Sequence, residues 1–230
     1  MGLRFVKGLG ARERERIEAA RREGPFRSLE DLVRRADLGE RALGQLAEAG
    51  ALAAFGVDRR EALWKVTRLA RQTPIPLPLD DPEPEVELDP LDALSVIAWD
   101  YRTADHSPRG HLLGPLRGHL AQQRLPTAVD LNQLRDGART RYVGLVICRQ
   151  RPGTAGGVVF MTLEDETGFV NLVVWEQVFE RHRVLAKTEP FLGVTGKVQA
   201  QEGVVHLIAE HLWRPILPLR AERTRSRDFH

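Results

Sequence analysis

Phe160 and Asn171 are the side chains of this sequence whose placement most needs a ligand to explain it. If Met161 and Leu163 face a core, the two-residue alternation of a strand sends Phe160, Thr162 and Glu164 to the opposite face. An aromatic ring there stands in water unless something covers it. A nucleobase would do so: base stacking on an aromatic contributes about 1–3 kcal/mol, and a neighbouring amide such as that of Asn171 can hydrogen-bond a base edge. Arg149 and Arg151, at the mouth of the preceding loop, are placed to hold phosphates. The alternative is that residues 99–140 pack over this face and make Phe160 core. At the other end of the chain, Gly8-Leu9-Gly10 precedes an Arg-rich helical stretch. Paired glycines let a backbone approach a phosphate, and a helix start offers it free N–H groups. Lys7, Arg12 and Arg14 stand beside that turn. Such contacts would not read sequence. A plain tight turn accounts for the same residues, and Glu48-Ala49-Gly50-Ala51-Leu52 reads equally well as a packing turn.

Enzyme chemistry finds little support. The seven histidines are dispersed, Cys148 is the only cysteine, and no Cys/His spacing suits zinc. There is no Walker-type glycine loop and no Gly-x-Ser-x-Gly elbow. Asp80-Asp81 and Glu164-Asp165-Glu166 are paired carboxylates, but each is expected to be a solvated turn rather than a metal site held on rigid elements. Cys148 lies in an apolar strand-like run and is expected to be buried and inert.

The elements that must position these residues follow from periodicity. Residues 11–22 carry Ile17 and Ala20 on one face and charges on the other, Gly24-Pro25 ends that helix, and Ser28 caps the next, with Asp31 as an acidic capping-box partner. Residues 41–49 and 59–70 form a further helical pair around a Gly-rich turn. The Gly8-Leu9-Gly10 turn with its helix resembles one half of a helix-hairpin-helix motif. Later, residues 142–148, 158–163 and 169–175 are strand-like, residues 176–186 are helical, and residues 191–200 and 204–211 are strand-like again. Five strands with a helix between the third and fourth is the order of the OB barrel, whose second and third strands commonly face an oligonucleotide. The fold class is therefore α+β in two domains: an N-terminal helical helix-hairpin-helix domain and a C-terminal five-stranded OB-fold barrel with flanking helices.

Charge marks the boundaries. The formal net charge is only +2, but residues 1–72 hold 16 basic against 11 acidic residues, and residues 73–98 hold seven acids and no base. A basic first region suits a polyanion, and the acidic stretch, with six prolines, reads as an extended linker. The expected division is residues 1–72, DNA-binding; 73–98, linker; 99–140, a helical lead-in packed on the barrel; 141–214, the barrel; and 215–230, a basic tail. No apolar run approaches the roughly 18 residues of a membrane span, so a cytoplasmic location is the default.

Several runs resemble a known family. They are residues 2–10, Phe26-Arg27-Ser28-Leu29-Glu30-Asp31-Leu32, Leu46-Ala47-Glu48-Ala49-Gly50-Ala51-Leu52, residues 144–155 and the closing Ser226-Arg227-Asp228-Phe229-His230. Together they look like the C-terminal part of bacterial C-family DNA polymerases, and the last two are similar to the error-prone paralogue of the ImuC type. The resemblance implies a helix-hairpin-helix domain on duplex DNA and an OB domain near the single-stranded template. It places the catalytic aspartates in a palm domain outside this chain, so no cofactor is expected here and Mg2+ only there. Met1 is read as an introduced start and the chain as a non-catalytic fragment. The full-length relative would perform translesion synthesis after DNA damage with a Y-family-like partner, ImuB, and the sliding clamp. Residues 72–79 only faintly match a clamp-binding peptide, so clamp contact is expected to be indirect. Two alternatives stay open: a protein-docking module for ImuB, and an independent RNA-binding barrel of the anticodon type, since Phe160 and Asn171 also match base-holding positions in class II aminoacyl-tRNA synthetase barrels.

Overall fold

A computed structural model describes residues 2–71, 91–153, 156–201, 203–217 and 227–228. The chain divides into two compact units, residues 1–108 and 109–230.

The first unit is helical. Helix α1, Ala11–Arg22, begins at Gly10 and buries Ile17 and Ala20, the two residues its periodicity singled out. Helix α2, Leu29–Ala36, starts at Ser28, whose hydroxyl accepts from the Asp31 N–H at 3.2 Å. The Asp31 carboxylate reaches back one residue further than a capping box requires and accepts from the Arg27 N–H. That bond, with Arg34 and Arg35 nearby, holds its carboxyl below the usual range. Helices α3, Glu40–Glu48, and α4, Arg59–Arg71, follow, with Leu43, Leu46, Ala47, Ala62 and Val66 buried in a core shared with Leu29 and Leu32.

Helix α5, Ala93–Ala104, is capped by Asp92, whose carboxylate accepts from the Ser95 N–H at 2.7 Å. It belongs to this helical unit. Arg59 forms a buried ion pair with Asp100 and donates to the Val96 carbonyl, and the Lys7 N–H donates to the Thr103 carbonyl. The residues expected to form one lead-in to the barrel are thus shared: 99–104 lie with the helical unit and 109–140 with the barrel. The ion pair, which no local periodicity signals, ties the former to α4.

In the second unit, short helices α6, Arg117–Gln122, and α7, Ala128–Asn132, precede β1, Arg139–Gln150, β2, Val159–Asp165, and β3, Gly168–Val174. Helices α8, Glu176–Arg181, and α9, Arg183–Thr188, lead to β4, Phe191–Gln201, and β5, Val204–Trp213. One helix was expected between β3 and β4; the backbone breaks at His182 and makes two. Antiparallel β1–β2, β2–β3, β4–β5 and β1–β4 pairings and a parallel β3–β5 pairing close the barrel. This is the OB order. Tyr142, Val146, Met161, Leu163, Val170, Leu172, Val194 and Leu207 fill its interior, and Ala128 and Leu131 of α7 join them. Residues Arg227–Asp228, β6, pair in parallel with Cys148 and Arg149 of β1. Most of the expected linker, the clamp-like residues 72–79, Asp80-Asp81 and most of the basic tail lie outside the described residues. No described helix is long and apolar enough to cross a membrane.

Candidate nucleic-acid interface

Alternation along β2 is as the residue types require. Val159, Met161, Leu163 and Asp165 point inward, while Phe160, Thr162 and Glu164 point outward. Phe160 keeps 38% of its surface exposed. Among the described residues Phe160 is therefore not covered as core, and α7, part of the stretch expected to pack over it, lies instead at the end of the barrel. Its contacts run to the β2–β3 turn, where the Ala128 N–H donates to Asp165, the Val129 N–H to Thr167 Oγ1, and the Asn132 amide to the Phe169 carbonyl.

On β3, Phe169 and Asn171 are exposed and Val170 and Leu172 are buried. Phe160 lies directly across from Val173, and Asn171 across from Thr162. Phe160 and Asn171 are thus diagonal neighbours on one face, a separation of about 7–8 Å for antiparallel strands. Glu164 stands opposite Phe169, and its burial beside Asp165 raises its carboxyl above the usual range.

The two arginines of the first loop have partners within the barrel. Arg149 donates to the carbonyls of Ala186 and Glu189, so it caps the end of α9 rather than projecting freely. Arg151 is half-exposed, paired with Glu176 at 3.3 Å, and stacked over Phe179.

Asp165, expected in a solvated turn, is instead fully buried. Its carboxylate accepts from the N–H groups of Ala128, Thr167 and Gly168, from the Thr167 hydroxyl and from Arg117. Arg117 also grips Glu166. Burial, and then this carboxylate, push the Tyr142 phenol far above its usual range. Burial of Asp165 has a physical reason: the barrel's own polar end supplies the donors that allow a carboxylate to leave water. The arrangement fixes the β2–β3 hairpin that carries Phe160, Phe169 and Asn171.

In the helical unit Gly8 has φ +78°, and a Cβ there would collide with the Gln45 amide. Gly10 is the extended N-cap of α1, and a Cβ on it would meet the Glu13 carboxylate. Both glycines therefore also serve internal packing. Lys7 is half-exposed; its ammonium pairs with Asp105 at 2.6 Å and donates to the carbonyls of Tyr101 and Arg102. It sits at the C-terminal end of α5, where a cation is favoured by the helix dipole. Arg12 is exposed on the first turn of α1. Arg14 joins Arg4, Arg21, Leu3 and Ile17 in lining a depression beside that helix. The second Gly-rich turn is a packing turn: Gly50, at φ +70°, gives room to Arg59 on its way to Asp100.

Sequence reasoning did not single out His206, Gln199 and Ile208, which the barrel brings beside Asn171 and Val173. Alternation within β5 places His206 and Ile208 on one face, but only the parallel β3–β5 pairing shows which neighbours they meet.

Comparison with known proteins accords with both units. Residues 1–62 match the model of the helix-hairpin-helix motif, and residues 143–214 that of the OB-fold nucleic acid binding domain. Error-prone DNA polymerase of Anaeromyxobacter sp. (strain K) is 42% identical over 100% of this chain and 20% of its own length. The error-prone DNA polymerase of Methylococcus capsulatus is 42% identical over 100% of this chain and 22% of its own. A solved asparaginyl-tRNA synthetase from Pyrococcus horikoshii is 26% identical over 39% of this chain and 22% of its own, at a TM-score of 0.34, a likeness too slight to argue from. The chain spans about one fifth of the length of the curated relatives it matches. Matched from end to end at this identity, with both domain models in order, the chain is homologous to the C-terminal helix-hairpin-helix and OB-fold region of error-prone DNA polymerases.

Proposed function

We propose that this chain is the non-catalytic DNA-holding region of an error-prone polymerase: its barrel binds single-stranded template on the outer face of β2 and β3, and its helical unit binds duplex phosphates. The observation that carries the reading is Phe160, an aromatic standing open on a strand face with the Asn171 amide on its diagonal. Phosphate contacts fall to Arg151 at the loop and to Arg12 with the Gly8–Gly10 turn in the helical unit. Lys7 and Arg149, committed to helix ends, act chiefly by holding those elements. Nucleotide addition, with its Mg2+, and translesion synthesis belong to the whole polymerase.

Fluorescence anisotropy with single-stranded, duplex and primer-template DNA across a salt series tests this. Affinity should fall with salt, as counterion release demands. Phe160→Ala should weaken single-strand binding about 5- to 150-fold, the equivalent of losing one stacked base, and leave duplex binding unchanged. Arg12→Ala with Arg14→Ala should do the reverse. Absence of binding at low salt would refute the reading and turn attention to a protein partner such as the Y-family subunit. Primer extension by this chain alone would refute its non-catalytic part.

A further inference from the structure

The barrel closure aligns four uncharged hydrogen-bonding side chains across four strands. Thr162 of β2 lies opposite Asn171 of β3, Asn171 opposite His206 of β5, and His206 opposite Gln199 of β4. At the usual strand spacing the row is about 14 Å long. Asn171 is exposed and the other three are half-buried. None of these side chains hydrogen-bonds to another described residue. His206 Nδ1 is enclosed and unpaired, which favours the tautomer with its proton on Nε2, the nitrogen that is not enclosed.

Beside that row, two residues along each strand and so about 7 Å away, runs an apolar one: Phe160 opposite Val173, and Val173 opposite Ile208. It ends at the exposed Lys197 of β4, which is paired with Ile208 in the sheet. Flat apolar surface, a cation at one end and a parallel line of unused neutral donors and acceptors match a stacked nucleotide strand in each of its parts. Phosphate needs charge, whereas neutral amide, hydroxyl and imidazole groups match base edges.

Resting on the single-strand reading above, we infer that this face reads bases as well as stacking them, with Thr162, His206 and Gln199 joining Asn171 as specificity-determining residues. Amides and imidazole that the fold leaves unused lose their water on contact with a base, so a base edge that fails to complement them leaves buried groups unpaired. A well-placed pair of such bonds discriminates by about tenfold or more.

The test is affinity of the full chain for homopolymers of dA, dC and dT at one salt concentration, with Asn171→Ala/Gln199→Ala and Phe160→Ala beside the wild type. The wild type should separate the best from the worst homopolymer by about tenfold, the double variant should reduce the gap to about twofold while still binding, and Phe160→Ala should weaken all three together. Wild-type binding that is tight but indifferent to base overturns this inference alone. So does a preference that survives the double substitution, because stacking strength would then explain it. Failure to bind any homopolymer removes the single-strand reading itself.

Discussion

Asp165→Ala should open the barrel at the hairpin that carries the candidate interface. The side chain has no solvent exposure, and all five of its hydrogen-bond partners are donors. Three of the five soften the loss: the Thr167 N–H and hydroxyl and the Gly168 N–H lie at a partly buried turn within reach of water. Arg117 keeps Glu166 as a partner. The Ala128 N–H is different, because it is buried and has this carboxylate as its acceptor. Stranding one such donor costs about 1–3 kcal/mol, and breaking a buried charge pair from one side about 3–5 kcal/mol in all. Since Arg117 retains a partner, the expected loss is at the lower end, about 3 kcal/mol. Asp165→Asn keeps one acceptor oxygen but turns an amide N–H toward donors, so it should cost about 1–3 kcal/mol. A chain of two units need not unfold in one transition. Native-state hydrogen exchange on peptides covering residues 159–174 is therefore the assay, since it reads the opening free energy of that hairpin alone. A change below about 1 kcal/mol in Asp165→Ala would refute the reasoning and mean that Arg117 and Glu166 hold the turn without it.

Three further outcomes follow from the same geometry. Gly196→Ala should lower the barrel's thermal midpoint sharply, by an amount equivalent to about 3 kcal/mol or more, because a Cβ at the β4–β5 bulge would collide with the Ile208 carbonyl and backbone cannot yield as a side chain does; an unchanged melting curve would contradict it. Lys7→Ala should cost about 0.5–1 kcal/mol in the helical unit, an amount limited by solvent around a half-exposed ion pair. It should also weaken duplex binding less than Arg12→Ala does in anisotropy; a larger loss would make Lys7 a phosphate ligand after all. The third concerns pH. Burial holds the His111 imidazole below its ordinary value, so the unfolded chain takes up the proton first. The contribution of this histidine is complete above the ordinary value, near 6.5, and lost as pH falls through it, and His182 acts in the same direction. Urea midpoints of the barrel should decline from about pH 7 to 5, and a flat profile over that range would count against burial of a neutral ring.

Local information determined much of this protein. The helices of the first unit start and stop where Gly10, Ser28 and Gly24-Pro25 dictate, because capping and backbone restriction act within one turn of chain. The five strands and the outward placement of Phe160 were legible from alternation, which needs only the geometry of a single strand. Phe160 and Asn171 could be paired as candidates because β2 and β3 are joined by a short turn that sets their register. Tertiary structure decided the rest. His206 is 35 positions beyond Asn171 in the sequence and becomes its neighbour only through the parallel β3–β5 pairing that closes the barrel. Arg149 and Lys7 have the residue type of phosphate ligands, yet helix ends distant in sequence supply carbonyls that engage them first. Asp165 reads as a surface turn because charge near glycine is ordinarily solvated; five donors, two of them from Arg117 and Ala128 far upstream, are what let it be buried. Propensity and alternation are properties of neighbouring residues, whereas the satisfaction of a charge depends on which distant donors the fold carries to it.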